Sequence, residues 1–278
     1  MKFKRSERLI DITHFLLERP HELVPLTFFA ERYGSAKSSI SEDLAIIKET
    51  FEQRGIGNLQ TVPGASGGVK YITKVNRDDA KKMVSELITH LGNADRLLPG
   101  GYLYLTDLLG NPSLMNKVGR LLASAYAEKE IDVIMTVATK GIPIANAIAS
   151  HLNVPVVIVR RDSKVTEGST VSINYVSGSS KRIQTMVLSK RSLKEGSKVL
   201  IVDDFMKAGG TVNGMKNLLE EFSATVSGMA VLVESENVDE RLVDDYISLT
   251  KLTDVNEKEK SITVSEGNYF TSDTTFLS

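Results

Sequence analysis

The sequence predicts an α/β protein in two parts: a small helical domain closed by a β-hairpin over residues 1–74, then a mostly parallel sheet with intervening helices over residues 75–278. Two observations carry this. Before residue 55 apolar residues recur three times at helical spacing, and two short strand-like runs around a glycine-rich loop follow. Further on, aliphatic runs at 131–138, 154–159 and 199–202 alternate with helical patterns, which suits strands buried on both faces.

Composition narrows the classes. The chain has 278 residues, 41% hydrophobic and 25% charged, enough for one large or two smaller domains. It holds no apolar run of about 18 residues and no apolar stretch behind Met1-Lys2-Phe3-Lys4-Arg5, so a cytoplasmic protein without membrane partners is expected. Zero cysteine removes disulfides and thiolate chemistry. The formal charge of −1 divides as +2 over residues 1–74 (11 Lys and Arg against 9 Asp and Glu) and −3 over the rest. Any nucleic-acid binding must therefore come from local placement of charge.

In the first part, Leu9, Ile12, Phe15 and Leu16 predict a helix from Arg5 to Glu18, stopped by Pro20. Pro25 opens a second, ended by Gly34, and Ser35 is a candidate cap for a third. In that third helix Ile40, Leu44, Ile47 and Phe51 share one face, which turns Ser38, Ser41, Glu42 and Ala45 outward with Lys37 and Lys48 at the flanks. Hydroxyls and lysines suit phosphates and base edges, and Glu42 suits a cytosine amino group. Leu59–Val62 and Val69–Ile72 form the hairpin around Pro63–Gly68, where Lys70 is placed to reach a nucleic-acid backbone. The order resembles a winged-helix DNA-binding domain, with a protein-contact module as the alternative reading.

Residues 75–96, opening on Asn76 and the acids Asp78 and Asp79, predict a connecting helix. Tyr102 reads either as core or as a platform over a base. The strand at 131–138 runs into Thr139-Lys140-Gly141 and a helix from Ile142 to Leu152, and the strand at 154–159 ends in Arg160-Arg161. Residues 162–181 are polar and glycine- and serine-rich around a strand-like Val171–Val176, as in loops that cover sites. Arg182–Lys190 and Ala224–Glu234 read as further strands, and Ser261–Val264 as part of a small edge sheet near the C-terminal end.

The organising stretch is Val199-Leu200-Ile201-Val202-Asp203-Asp204-Phe205-Met206-Lys207-Ala208-Gly209-Gly210-Thr211, with a helix predicted from Thr211 to Phe222. Unpaired amides at that helix start, with the positive end of its dipole, favour a phosphate, and glycines let it approach. Asp203 and Asp204 are acceptors for adjacent ribose hydroxyls. The alternative is an ordinary strand end and turn.

This order resembles the 5-phosphoribosyl 1-pyrophosphate (PRPP) motif of type I phosphoribosyltransferases, apolar-Asp-Asp-apolar-apolar-Ala-Thr-Gly-Gly-Thr. Two departures stand out, Lys207 inside the loop and Ala208 where the family usually has threonine. Hypoxanthine-guanine members carry a catalytic aspartate at the equivalent of Lys207, whereas adenine and xanthine members manage without it. Thr139, Lys140 and Gly141 resemble the pyrophosphate loop of the same family, which also places a mobile cover near residues 162–181. That makes Arg160, Lys181 and Arg182 candidate anion contacts; of the two readings of Tyr102, an accessory role in the pocket is favoured.

Winged helix and transferase domain in this order resemble the purine operon repressor family of Gram-positive bacteria over nearly the whole chain. The resemblance implies a dimer that binds double-stranded operator DNA and is released by PRPP, accompanied by Mg²⁺, without phosphoribosyl transfer. A purine nucleotide or guanosine polyphosphate would fit the same sugar-phosphate site. No catalytic residue and no protein metal site is assigned: His21-Glu22 lacks the second histidine of a zinc motif, and P-loop and serine-elbow patterns are absent. The alternative is a purine salvage phosphoribosyltransferase carrying a regulatory domain.

Overall fold

The computed structural model describes every residue except 1–2, 65–66, 99–101, 163–164, 178–181, 257–258, 260, 273, 275 and 277–278. The expectation for Lys181 therefore lies outside the described residues. Helices α1 (Arg5–Leu17), α2 (Leu26–Tyr33) and α3 (Lys37–Gln53) bury their apolar faces together, with Ile12, Leu16, Phe29, Ile40 and Phe51 at the centre. The antiparallel hairpin β1 (Asn58–Val62) and β2 (Gly68–Ile72) closes this core with Leu59, Val69 and Tyr71. Ser35 does not cap α3. Its N-cap is Ala36, and the Ser35 hydroxyl instead takes a bond from Arg8 Nη1 (3.3 Å) and donates to Tyr33 O (3.4 Å).

Asn76 caps α4 (Arg77–Leu91) by accepting from Asp79 N at 2.8 Å. This helix lays Ala80, Val84, Leu87 and Leu91 into the core of the second part. The short strands β3 (Leu97–Leu98) and β4 (Tyr102–Leu103), the turn α5 (Thr106–Leu109) and the helix α6 (Pro112–Ala125) follow.

Next come β5 (Val133–Val137), α7 (Gly141–Leu152), β6 (Val156–Val159), the paired strands β7 (Thr170–Val176) and β8 (Ile183–Ser189), β9 (Lys198–Met206) and α8 (Gly210–Glu220). The strands β10 (Thr225–Ser235), β11 (Ile247–Asn256) and β12 (Ser261–Glu266) complete the order.

The main sheet has six strands in the order β12-β11-β10-β9-β5-β6, parallel except for β12. Both faces are covered. Leu200 and Val202 of β9 pack with Ile144 and Ile148 of α7, while Val199 and Ile201 pack with Val212, Met215 and Leu218 of α8. The chain leaves β5 and β9 toward opposite faces, so a crevice opens between their carboxyl ends, where ligands bind in open α/β sheets.

In the main sheet the structure differs from the sequence reading in two places. Strand β9 continues through the acids to Met206, because β10 stays in register with it (Val231 opposite Asp203, Val233 opposite Phe205). The segment at 261–266 is no separate sheet. It pairs with β11 as the antiparallel edge of the main one, and Tyr269 behind it is buried with its hydroxyl on Leu121 O at 3.1 Å.

Candidate functional site

A cavity of about 750 Å³ opens at the carboxyl ends of β5, β9, β10 and β11. Asp203, Asp204, Phe205, Met206, Lys207, Ala208, Gly209, Gly210 and Thr211 all line it, together with Thr139, Lys140 and Tyr102. Two helix N-termini meet there. No side chain caps either α7 or α8 at its N-cap, Lys140 and Gly209 respectively, so amides at both starts are left for a ligand. Gly209 has φ +85°, a conformation that favours glycine, and an added Cβ would come within 2.7 Å of Val243 Cγ2.

The loop is held from behind. Leu242 N donates to Ala208 O at 2.8 Å, and Arg241 reaches Lys207 O at 3.3 Å and Ser235 O at 2.8 Å. These bonds engage the loop carbonyls on the 241–242 side. Burial, and then the neighbouring Asp204 charge, push the Asp203 carboxyl well above the carboxylate range. Asp204 is also raised by burial, against the opposing pull of its bond with Asp203 and of the Lys140 ammonium.

A raised native pKa means that the folded state binds more protons than the unfolded chain above about pH 4, so this pair lowers stability as pH climbs. Asp203→Asn is therefore expected to raise the melting temperature at pH 7, with the gain shrinking toward pH 4. Thermal melts of both proteins across that range check it; a gain that does not depend on pH would reject the linkage.

Three expected ligand contacts stand elsewhere. Arg160 does not line the cavity: its backbone bridges Val187 and its Nε bonds Glu167 Oε1 at 3.2 Å. Its neighbour Arg161 lines the cavity instead, since successive side chains at a strand end point to opposite sides. Gly141 lies behind the lining as the first residue of α7, where an added Cβ would collide with Thr136 Oγ1. Arg182, exposed beside β8, is also outside the lining. Sequence reasoning missed Ser235, Asn237, Leu252 and Val255, which add polar and apolar wall from β10, β11 and the loop between them. The rule that ligands lie beyond strand carboxyl ends would have pointed to Ser235.

On the first domain, Lys37, Ser38, Ser41, Glu42 and Lys48 are exposed along α3, and Lys70 is half-buried on β2. Glu42 lies 3.7 Å from Arg5 and Lys48 lies 4.0 Å from Glu52, so both charges have partners on the surface. Asp43, on the inner face, is fully buried between Arg5 and Arg8 and ties α1 to α3. Among the described residues no cluster of His, Cys, Asp and Glu could hold a metal ion, and no helix is long and apolar enough to cross a membrane.

Three helices with a hairpin wing, joined to a parallel sheet whose crevice carries a double acid and a glycine loop, define a winged helix fused to a phosphoribosyltransferase fold. The comparisons agree with both halves: residues 4–73 match the N-terminal domain of bacterial purine repressors, and residues 105–266 match the phosphoribosyl transferase domain. The chain is 69% identical to the purine biosynthesis transcriptional repressor PurR of Bacillus subtilis (strain 168), covering 97% of this chain and 94% of that one. It is 50% identical to the purine biosynthesis transcriptional activator PurR of Lactococcus lactis subsp. lactis (strain IL1403), covering 96% and 98%. An adenine phosphoribosyltransferase from Thermoanaerobacter pseudethanolicus superposes with a TM-score of 0.53 at 26% identity, over 60% of this chain and 98% of that one. This chain belongs to the PurR family of purine biosynthesis transcriptional regulators.

Proposed function

We propose that the protein is a transcriptional repressor of purine biosynthesis that binds operator DNA as a dimer and is released by PRPP held in a non-catalytic phosphoribosyltransferase site. The observation that carries the reading is the fusion itself: a cavity at two helix N-termini and a winged helix share one chain that matches a PurR repressor over nearly its full length. Identity is higher to the repressor than to the activator, and this favours repression.

In this reading the 5-phosphate sits on the amides at the start of α8 with Lys207 nearby, and the ribose hydroxyls are accepted by Asp203 and Asp204. The diphosphate takes Thr139, Lys140 and Arg161, with Mg²⁺ entering on the ligand's own oxygens. Lys207 disfavours transfer, because it puts a cation where a carboxylate base would stand. Asp203 and Asp204 are the carboxylates among the described lining residues. Exposed Lys37, Ser38, Ser41 and Lys48 would face the major groove, and a two-fold dimer would read paired half-sites. Purine nucleotides or guanosine polyphosphates would compete for the same cavity.

The test is binding to a purine-gene upstream fragment at fixed salt, titrated with PRPP and Mg²⁺, with pyrophosphate release followed in the same samples. PRPP is expected to weaken DNA binding by about 5–150-fold, the usual size of allosteric coupling, without turnover on any purine base. Turnover with a purine base and no specific DNA binding would instead make this a salvage enzyme.

A further inference from the structure

The two domains touch at few points. Among the described residues Thr73 Oγ1 donates to His151 O (3.3 Å) and Lys74 Nζ lies 3.1 Å from Glu128 Oε1, while Gly55 packs against the side chains of Asn76 and Asp79. Arg120 of α6 adds the contact that reaches farthest: its Nη2 donates to the carbonyls of Gly55 and Ile56, the latter at 3.1 Å. Those carbonyls lie in the turn just past Arg54, the C-cap of α3, where a guanidinium also complements the helix dipole. Elsewhere the domains leave a cavity of about 630 Å³ between His21 and Glu22 on one side and residues 129–132 and 152–154 on the other. The close contacts of the first domain thus gather around Arg120 and Gly55, with open space on the His21 side.

Arg120 is tied to the ligand cavity through two packed helices. The 12 residues of α7 start directly after Lys140 at the cavity, span about 18 Å and finish beside the Thr73 bond to His151. Gly119 brings α6 so close to α7 that an added Cβ would lie 2.5 Å from the carbonyl carbon of Ala147. Such a contact leaves no play between the helices, since packed interiors transmit displacement instead of absorbing it.

We propose that α6 and α7 move as one block and that Arg120 is the positioning residue through which occupancy of the cavity re-aims α3. This rests on the reading above, in which PRPP fills the cavity. A ligand drawing on the amides at the start of α7 pulls the block, and Arg120 carries that shift to the far end of α3. No side chain of the cavity needs to touch the DNA-binding domain.

The experiment uses the full chain as wild type, Arg120→Ala and Arg120→Lys. Operator binding is followed by fluorescence anisotropy at fixed salt with and without PRPP and Mg²⁺, and PRPP binding by calorimetry. In Arg120→Ala the PRPP dissociation constant should stay within about twofold of wild type, while the factor by which PRPP weakens DNA binding falls at least about fivefold. Arg120→Lys, which keeps the charge and a donor, should recover most of that factor. A residue that merely supported the fold would change PRPP binding as well. If Arg120→Ala does not fold, Thr73→Val, which cuts the α7 tie, should still lower the factor. A wild-type factor in the folded variants overturns this proposal alone; a wild-type protein with no PRPP effect on DNA overturns both it and the inducer reading.

Discussion

Replacing Asp204 by alanine is expected to lower affinity for PRPP with Mg²⁺ by about 10–100-fold, because one hydrogen bond to a charged acceptor at about 1.5–3 kcal/mol is lost. Asp204 is half-buried on the cavity wall, where it can reach a ligand, whereas Asp203 beside it is 7% exposed. Asp203→Ala should act in the same direction with a smaller effect. Plain pyrophosphate is the informative control. It has no ribose for the carboxylates to hold, so removing a negative charge should leave its affinity unchanged or raise it. Operator binding without ligand should stay within about twofold, since the cavity and α3 lie in different domains. Calorimetry with both ligands decides the matter: equal losses for PRPP and pyrophosphate would mean that the acids shape the loop and do not accept the sugar.

The second large effect is expected in the DNA-binding domain. Arg8→Ala should destabilise it by about 3 kcal/mol, the low end of the cost of breaking a buried ion pair, because half-exposed Arg5 still faces Asp43. For a domain of this size that lowers its unfolding transition by about 10 °C or more. DNA binding should fail at temperatures where PRPP binding persists. Asp43→Asn should cost less than Arg8→Ala, since it removes the buried charge and keeps an acceptor for Arg8. Scanning calorimetry with DNA and PRPP titrations at two temperatures would show it. An unchanged transition in Arg8→Ala would mean that the pair contributes nothing to holding α1 on α3.

Much of the candidate site was legible because it is continuous in sequence. Residues 203–211 carry a strand end, two acceptors, a glycine turn and a helix start within one local segment, and each is set by near neighbours. Thr139 and Lys140 were legible for the same reason, at the end of a buried strand and the start of a helix. The outward face of α3 followed from helical periodicity, which fixes the positions opposite Ile40, Leu44 and Ile47 without reference to any other element.

Other features depended on distances the sequence does not encode. Whether Arg160 or Arg161 faces the cavity turns on strand register, where a one-residue change reverses the side. Ser235, Asn237, Leu252 and Val255 join the wall only because β10 and β11 extend the sheet beside β9. Asp43 shares the inner face of Ile40, Leu44 and Ile47 by spacing, but its partners Arg5 and Arg8, 35 and more residues away, come only from the packing of α1. Arg120 likewise reads as a polar position on an amphipathic helix, and its hold on Gly55 and Ile56 exists only once the two domains dock. The sequence alone thus determined the elements, the order of domains and the glycine loop behind the double acid, because those arise from local backbone preference and periodic burial. The tertiary structure alone decided which charges are paired, which arginine lines the cavity and how one domain holds the other, because those depend on contacts between segments far apart in the chain.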